Sequence, residues 1–156
     1  MSGPAWRLVV TGAARDWAAD AVSDYEGRLA RYVDLETTVL KEPEWAEKDP
    51  AKYFRWIGEE YLGRLGKTDV AVALDPGAPA LTSPAFAGEL RKRFAGDRRP
   101  VFWIGGSQGL GPALLSHASW KVSFGPMTYP HALFRVMLLE QLYRAQTILR
   151  GEKYHK

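Results

Sequence analysis

Short runs rich in apolar or β-branched residues occur at five places in the chain and predict five β-strands. The clearest is Val70-Ala71-Val72-Ala73-Leu74, which no polar residue interrupts. Such a run is typical of a strand covered on both faces, as the strands of parallel sheets are. The predicted strands lie at residues 7–12, 33–40, 69–75, 101–104 and 120–124.

Between these runs, apolar residues recur at intervals of three and four, which predicts amphipathic helices. The predicted helices cover residues 16–31, 50–65, 83–94, 112–118 and 131–150. In the first, the predicted buried face comprises Trp17, Ala21, Tyr25 and Leu29, and Asp16 is the predicted N-cap. Asp49 and Pro50 predict the start of the second helix. Strand and helix alternate five times, which predicts one α/β domain over residues 1–156, with a mainly parallel sheet flanked by helices.

Two predicted strands end in segments dense in glycine and proline, at residues 105–112 and 125–131. Open α/β sheets bind small ligands at the carboxyl ends of their strands. The first segment matches neither the phosphate-loop pattern nor G-x-G-x-x-G, so it predicts either a ligand loop or an ordinary turn. In the second segment, glycine and proline fix an unusual backbone path. This segment either binds the edge of an adenine through its backbone groups or is a rigid connection that binds nothing.

The last predicted helix is apolar on almost every side, so it must be covered on more than one side. Its own sheet can cover one side and a second copy of the chain the other. Glu140 and Arg144 lie four residues apart within this apolar surface and can pair. His131 stands at the start of the helix, where a histidine is either a structural residue or a catalytic one.

Composition narrows the class of protein. Of 156 residues, 46% are hydrophobic and 25% charged, as in soluble globular domains. No apolar run is long enough to span a membrane, and no secretory signal opens the chain. The chain has no cysteine and three histidines, so neither a thiolate metal site nor a dedicated zinc centre is expected. We expect a cytoplasmic protein without a membrane or metal partner.

The formal net charge is +3, and basic residues cluster at 91–93 and 98–99. Such a cluster fits contact with a polyanion such as RNA. It also fits the solvated face of a helix and the following turn, which is the interpretation that we favour from the sequence.

The chain resembles the RlmH family of RNA methyltransferases, the smallest members of the SPOUT superfamily, over essentially its whole length. The matching pieces, in the family's order and spacing, are Leu74-Asp75, Leu81-Thr82-Ser83, Phe86-Ala87, Ile104-Gly105-Gly106, Gly109-Leu110, Met127 to His131, Arg135-Val136, Glu140 to Ala145 and Tyr154-His155. The resemblance implies a SPOUT fold with a C-terminal trefoil knot, a homodimer, and S-adenosylmethionine as the methyl donor. It further implies methylation of N3 of a pseudouridine in the 23S rRNA of the large ribosomal subunit.

The resemblance also implies roles for residues at matching positions. The cofactor is expected to contact Leu74, Gly105, Gly106, Gly125, Pro126, Met127, Thr128, Tyr129 and Pro130. The target nucleotide is expected to border His131, Glu140, Arg144, Tyr154 and His155, with the terminal stub supplied by the other subunit.

A mechanism follows as a hypothesis. His131 or His155 accepts the N3 proton, and Arg144 binds a phosphate or stabilises charge on the base. Because the domain is small and mildly basic, we expect it to need assembled ribosomes rather than free rRNA. Two alternatives stay open: a SPOUT methyltransferase acting on another RNA, and a ribosome- or RNA-binding factor without catalytic activity.

Overall fold

Five strands and five helices alternate in the computed structural model, which describes residues 3–156. The strands are β1 (Ala5–Thr11), β2 (Asp34–Leu40), β3 (Asp69–Leu74), β4 (Arg99–Ile104) and β5 (Trp120–Val122). The helices are α1 (Trp17–Leu29), α2 (Pro50–Leu62), α3 (Ser83–Arg93), α4 (Pro112–His117) and α5 (His131–Leu149). The predicted order of elements is therefore confirmed. None of these helices is long and apolar enough to cross a membrane.

All five strands form one sheet in the order β2-β1-β4-β3-β5, and every pair is parallel. The register places Val9 of β1 opposite Trp103 of β4, and Val72 of β3 opposite both Phe102 and Trp120. Because the strands are parallel, all of their carboxyl ends lie at one edge of the sheet. The α/β fold class is thus confirmed, whereas the trefoil knot stays a prediction.

Alternate residues of the strands supply two cores, one on each face of the sheet. On one face, α1, α3 and α5 pack through residues such as Leu29, Leu90 and Leu142. On the other face, α2 and α4 pack through Tyr53, Ile57, Tyr61 and Leu114. The sheet is therefore covered on both faces, as the continuous apolar run of β3 predicts.

Two details of α1 differ from the prediction. Its buried residues are Ala18, Val22 and Leu29, whereas Trp17 is 60% exposed. Asp16 occupies the predicted N-cap position, but it has a positive φ of 53° and its side chain makes no cap hydrogen bond. At α2 the prediction is confirmed, because Asp49 accepts a hydrogen bond from the Lys52 amide at 3.1 Å.

A buried carboxylate ties the amino ends of β1, β3 and β4 together. Asp69 at the start of β3 has a fully buried side chain. Its oxygens accept from Arg7 at 2.9 Å and from the Gly66 amide at 2.7 Å, and they lie 2.9 Å from Arg99. The burial of this carboxylate is therefore balanced by two guanidinium groups and a main-chain donor.

Removing this carboxylate leaves two guanidinium groups without their anion, one of them largely buried. We expect Asp69→Ala to lower the free energy of unfolding by about 2–3 kcal/mol, measured by urea denaturation. Asp24→Ala removes an exposed partner of Arg28 and is expected to leave the free energy of unfolding almost unchanged. Equal losses in the two variants would mean that the buried carboxylate stabilises the fold no more than an exposed one.

Candidate functional site

A cleft of about 560 Å³ lies at the carboxyl edge of the sheet, beside the ends of β3 and β4. Three stretches of chain line it: residues 74–76, residues 104–112 with Leu115, and residues 127–131 with Phe134. Its volume lies in the range of small-molecule sites. Both glycine- and proline-rich loops therefore face one cavity, as a ligand site requires.

The lining is mostly main chain and apolar side chains. Asp75 is the only carboxylate among the lining residues that the structure describes, and His131 is the one histidine there. A lining of this composition suits a ligand with an apolar body, several hydrogen-bonding groups and a positive charge. Sequence reasoning placed Leu74 at the site but missed Asp75, whose carboxylate also accepts a hydrogen bond from the Gly77 amide at 3.0 Å.

The glycine-rich loop after β4 has no room for side chains at its first two positions, the first because the loop folds back on itself and the second because neighbouring segments pack against it. A Cβ at Gly105 would lie 2.7 Å from the Leu110 nitrogen and against the Gly109 backbone. A Cβ at Gly106 would meet the Glu42 carboxylate and lie 3.1 Å from the Tyr53 hydroxyl. These two glycines therefore allow a compact loop whose main chain faces the cleft.

Side chains from outside the loop hold it in this conformation. The Tyr53 hydroxyl donates to the Gly109 carbonyl at 2.7 Å and accepts from the Gly106 amide at 3.0 Å. The Glu42 carboxylate accepts from the Ser107 amide at 2.7 Å. We refer to Glu42, Tyr53 and Tyr61 together as the loop support. Burial raises the pKa of Tyr53 to about 12, so its hydroxyl stays a neutral donor at physiological pH.

Tyr61, eight residues further along α2, extends the loop support to the end of β4. Its hydroxyl lies 2.6 Å from the Ile104 carbonyl, to which it donates, and 2.8 Å from the Thr11 hydroxyl. Burial raises its pKa strongly as well. The spacing of apolar residues along α2 puts Tyr53 and Tyr61 on the buried side of the helix. It carried no signal for their partners, which lie more than 40 residues away in the chain.

The second loop, between β5 and α5, contributes most of its length to the cleft. Met127, Thr128, Tyr129 and Pro130 line the cavity, and Met127 is 70% exposed. Gly125 instead lines a neighbouring cavity of about 430 Å³ together with Glu140, and Pro126 lines neither cavity. Four of the six residues expected in this loop therefore border the cleft itself.

His131 begins α5 at the edge of the cleft and packs against the turn after β1. A Cβ added at Gly12 would lie 2.7 Å from the His131 Nε2 atom. The backbone of Gly12 therefore lies directly against the imidazole, which is exposed to solvent on its other side. The structure thus places His131, but no other predicted nucleotide-binding residue, at this cleft.

The other four predicted residues form a separate polar cluster at the carboxyl end of α5. Arg144 donates to the Glu140 carboxylate at 2.9 Å, and its Nη1 lies 3.2 Å from His155 Nδ1. The Tyr154 hydroxyl donates to the same carboxylate at 3.1 Å. Burial, followed by neighbouring Tyr25 and Glu140, raises the pKa of Tyr154. The predicted Glu140–Arg144 pair is thus confirmed, and the terminal stub folds against it.

The two groups of predicted residues are far apart within one chain. Arg144 follows His131 by 13 positions in the same helix, which is about 20 Å at the helical rise. One copy of the chain therefore does not bring all five residues around a single nucleotide.

Comparisons with known proteins match nearly the whole chain. The family model described as "Predicted SPOUT methyltransferase" matches residues 5–155. A ribosomal RNA large subunit methyltransferase H of Gemmatimonas aurantiaca is 41% identical over 150 residues, covering 96% of this chain and 97% of that protein. A protein of the same name from Clostridium beijerinckii is 37% identical over 155 residues, covering 96% and 98%. A crystal structure of a hypothetical protein is similar in fold, with a TM-score of 0.58, 12% identity, and coverage of 96% and 70%.

The loop support can be tested without any ligand. Tyr53→Phe removes one hydrogen bond to each of Gly106 and Gly109, so we expect it to lower the free energy of unfolding by about 1–2 kcal/mol. We also expect hydrogen exchange at the amides of residues 106–109 to become at least about tenfold faster, because the loop loses two of its anchors. Mass spectrometry of the exchanging protein measures this directly.

Tyr32→Phe is the matched control, because its hydroxyl donates to Glu152 at the exposed surface. We expect it to leave exchange at residues 106–109 unchanged. If both variants change exchange in the loop equally, or neither does, Tyr53 does not hold the loop.

Proposed function

The chain belongs to the SPOUT methyltransferase family, and on that premise we propose that it methylates N3 of a pseudouridine in large-subunit ribosomal RNA, with S-adenosylmethionine as the donor. The observation that carries the proposal is 41% identity over 96% of the chain to a ribosomal RNA large subunit methyltransferase H. The cleft at the carboxyl edge supports the proposal, because its two loops are the segments expected to bind the donor.

The residues of the cleft fit such a cofactor. S-adenosylmethionine supplies a methyl group on a positively charged sulfonium, which needs no further activation. Leu74, Gly105, Gly106 and residues 127–130 would hold it, with Gly125 and Pro126 fixing the path of the second loop. Main-chain donors and acceptors suit the adenosine part, and Asp75 adds the negative charge that favours a cationic ligand.

His131 is the residue that we propose for proton transfer at the cleft, with His155 of a second copy as the other candidate. An imidazole works as a base near neutral pH, and His131 lies at the cleft with one face exposed. Gly12 packs against the imidazole and limits its orientations. The chain's main task is to align the nucleobase with the donor, because alignment lowers the barrier without further chemistry.

We further propose that the active form is a homodimer in which the polar cluster of one copy completes the cleft of the other. The five loops at the carboxyl edge contain three cationic side chains and six carboxylates, so this edge lacks the positive charge that a nucleotide phosphate needs. The cations are Arg15, Lys41 and Lys48, and the carboxylates are Asp16, Glu42, Glu44, Glu47, Asp49 and Asp75. Arg144 is the one arginine among the predicted nucleotide-binding residues, and it reaches the cleft only from a second copy, where a phosphate would compete with Glu140 for its guanidinium.

Incompletely buried apolar side chains on α1 and α5 support the same dimer. Trp17 at the start of α1 is 60% exposed, and Leu133 and Met137 of α5 are only partly covered. Burying an exposed tryptophan and part of an apolar helix against a second copy is favourable. Two α5 helices packed antiparallel would bring each polar cluster to the opposite His131. The substrate in this proposal is the assembled ribosome, which places the protein in the cytoplasm.

Cofactor binding provides the first test. We expect calorimetry to detect binding of S-adenosylmethionine, and we expect mass spectrometry of rRNA nucleosides to find a methylated pseudouridine after incubation with ribosomes that lack it. Gly106→Ala places a methyl group against Glu42 and should weaken cofactor binding at least about tenfold. Gly88→Ala is the control, since a Cβ there meets nothing within 4 Å.

Cofactor binding without methyl transfer to any RNA would identify a binding factor rather than an enzyme. Transfer to another RNA, but not to ribosomes, would identify a different substrate.

The composite site makes a separate prediction. We expect His131→Ala and His155→Ala each to slow single-turnover methylation at least about tenfold. Mixing the two variants under conditions of subunit exchange should restore about a quarter of the wild-type rate, because half of the dimers then contain one intact site. If mixing restores nothing, each site is built within one chain. If neither substitution slows transfer, neither histidine is the base.

A further inference from the structure

Charge is distributed unevenly between the two edges of the sheet. At the carboxyl edge, the loops that surround the cleft carry more carboxylates than cations. At the amino edge, the connections between helices and strands carry one carboxylate and four cations. That carboxylate is Asp97, and the cations are Arg31, Arg64, Lys67 and Arg98. The connections at the amino edge therefore carry a net positive charge, whereas those around the cleft carry a net negative one.

Four exposed cations gather at one corner of the amino edge, and we call them the amino-edge patch: Lys67, Arg91, Lys92 and Arg98. Arg91 and Lys92 lie in the last turn of α3, Arg98 precedes β4 and Lys67 precedes β3. Contacts between their neighbours join these segments. The Arg99 amide donates to the Thr68 carbonyl at 3.0 Å, which joins the segments of Arg98 and Lys67. The Arg93 guanidinium lies 4.8 Å from the ring of Trp120 in β5, the strand next to β3, which places the end of α3 on the same side of the sheet edge.

Apart from Asp97, the carboxylates around this corner are already paired with other arginines. Asp69 is buried between Arg7 and Arg99. Glu89 pairs with Arg93 at 2.9 Å, and Glu60 pairs with Arg64 at 3.2 Å. Within residues 3–156, none of the four patch residues forms an ion pair. The patch therefore presents positive charge that its own surroundings do not neutralise.

The ends of helices account for only part of this charge. Arg91 and Lys92 complement the dipole of α3, whose last turn they occupy. Lys67 and Arg98 lie in loops, where no helix dipole favours them. The sequence favoured a solvated helix face for this cluster. The pairing of every carboxylate around it except Asp97 supports contact with a polyanion instead.

We propose that the amino-edge patch binds the phosphate backbone of ribosomal RNA at a point remote from the modified nucleotide. The inference rests on the proposed function for the identity of the RNA. The patch and the cleft lie at opposite edges of the sheet, about one strand length or 20 Å apart. RNA phosphates near the cleft would be repelled by its acidic edge. RNA phosphates that bind the patch release their counterions, which raises the affinity of the protein for RNA. RNA binding and cofactor binding are thereby assigned to different edges.

Binding to ribosomes at several salt concentrations tests the patch. We expect Arg91→Gln combined with Arg98→Gln to weaken binding to assembled 70S ribosomes about tenfold near physiological salt. The slope of log K against log salt should become shallower by roughly 1–2, since two phosphate contacts are lost. The double variant Arg31→Gln with Arg55→Gln removes the same charge from exposed arginines outside the patch and should change both quantities little.

Calorimetry with S-adenosylmethionine accompanies each variant and should give unchanged affinity. The proposal is overturned if both double variants weaken ribosome binding equally, or if neither weakens it. The patch variant could also bind ribosomes more weakly while its binding to a generic RNA duplex is unchanged. That result would mean that the patch contacts a ribosomal protein rather than RNA, and it would also overturn the proposal. If the wild-type protein binds ribosomes through the patch but transfers no methyl group, the proposed function fails while the patch stands.

Discussion

The cleft depends on hydrogen bonds that α2 and the loop before it make to the main chain of the glycine-rich loop. Glycine loses more conformational freedom on folding than any other residue, and the loop has few side chains with which to stabilise itself. Tyr53, Tyr61 and Glu42 supply partners to the polar groups of residues 104–109 that strand pairing leaves unpaired. The loop can therefore present its remaining main-chain groups to a ligand in a fixed arrangement.

The same support connects the cleft to the first strand. The Thr11 hydroxyl lies 2.8 Å from that of Tyr61, and a Cβ at Gly106 would lie 2.9 Å from the Thr11 methyl group. Gly12, the next residue, lies against His131. The loop expected to hold the donor and the histidine proposed to accept the proton are thus anchored to one short stretch of β1.

The sequence predicted the order of elements and the edge of the sheet that carries the site, because apolar runs and glycine-rich loops are local signals. Prediction from the sequence failed where tertiary packing determines which residues are buried or which residues contact each other. The apolar repeat of α1 placed Trp17 on the buried face, whereas Ala18 and Val22 are buried and Trp17 is exposed. The partners of Tyr53 and Asp69 lie far along the chain and leave no local pattern. The residues that the resemblance groups around one nucleotide lie in two groups within one chain, so their assembly into one site across two subunits stays a prediction.

That separation leaves room in a chain of this size for both the cleft proposed to hold the cofactor and the polar cluster proposed to contact RNA. A rigid helix keeps His131 and Arg144 about 20 Å apart, so neither can move to the other within one copy. In the proposed dimer, one two-fold contact along α5 brings the polar cluster of each copy to His131 of the other copy. The apolar surface that this contact buries therefore also completes both sites. Dimer stability and catalysis then depend on the same residues. In these proposals the cleft edge can stay acidic around a cationic cofactor, because the partner's Arg144 and the amino-edge patch are the cations that contact RNA.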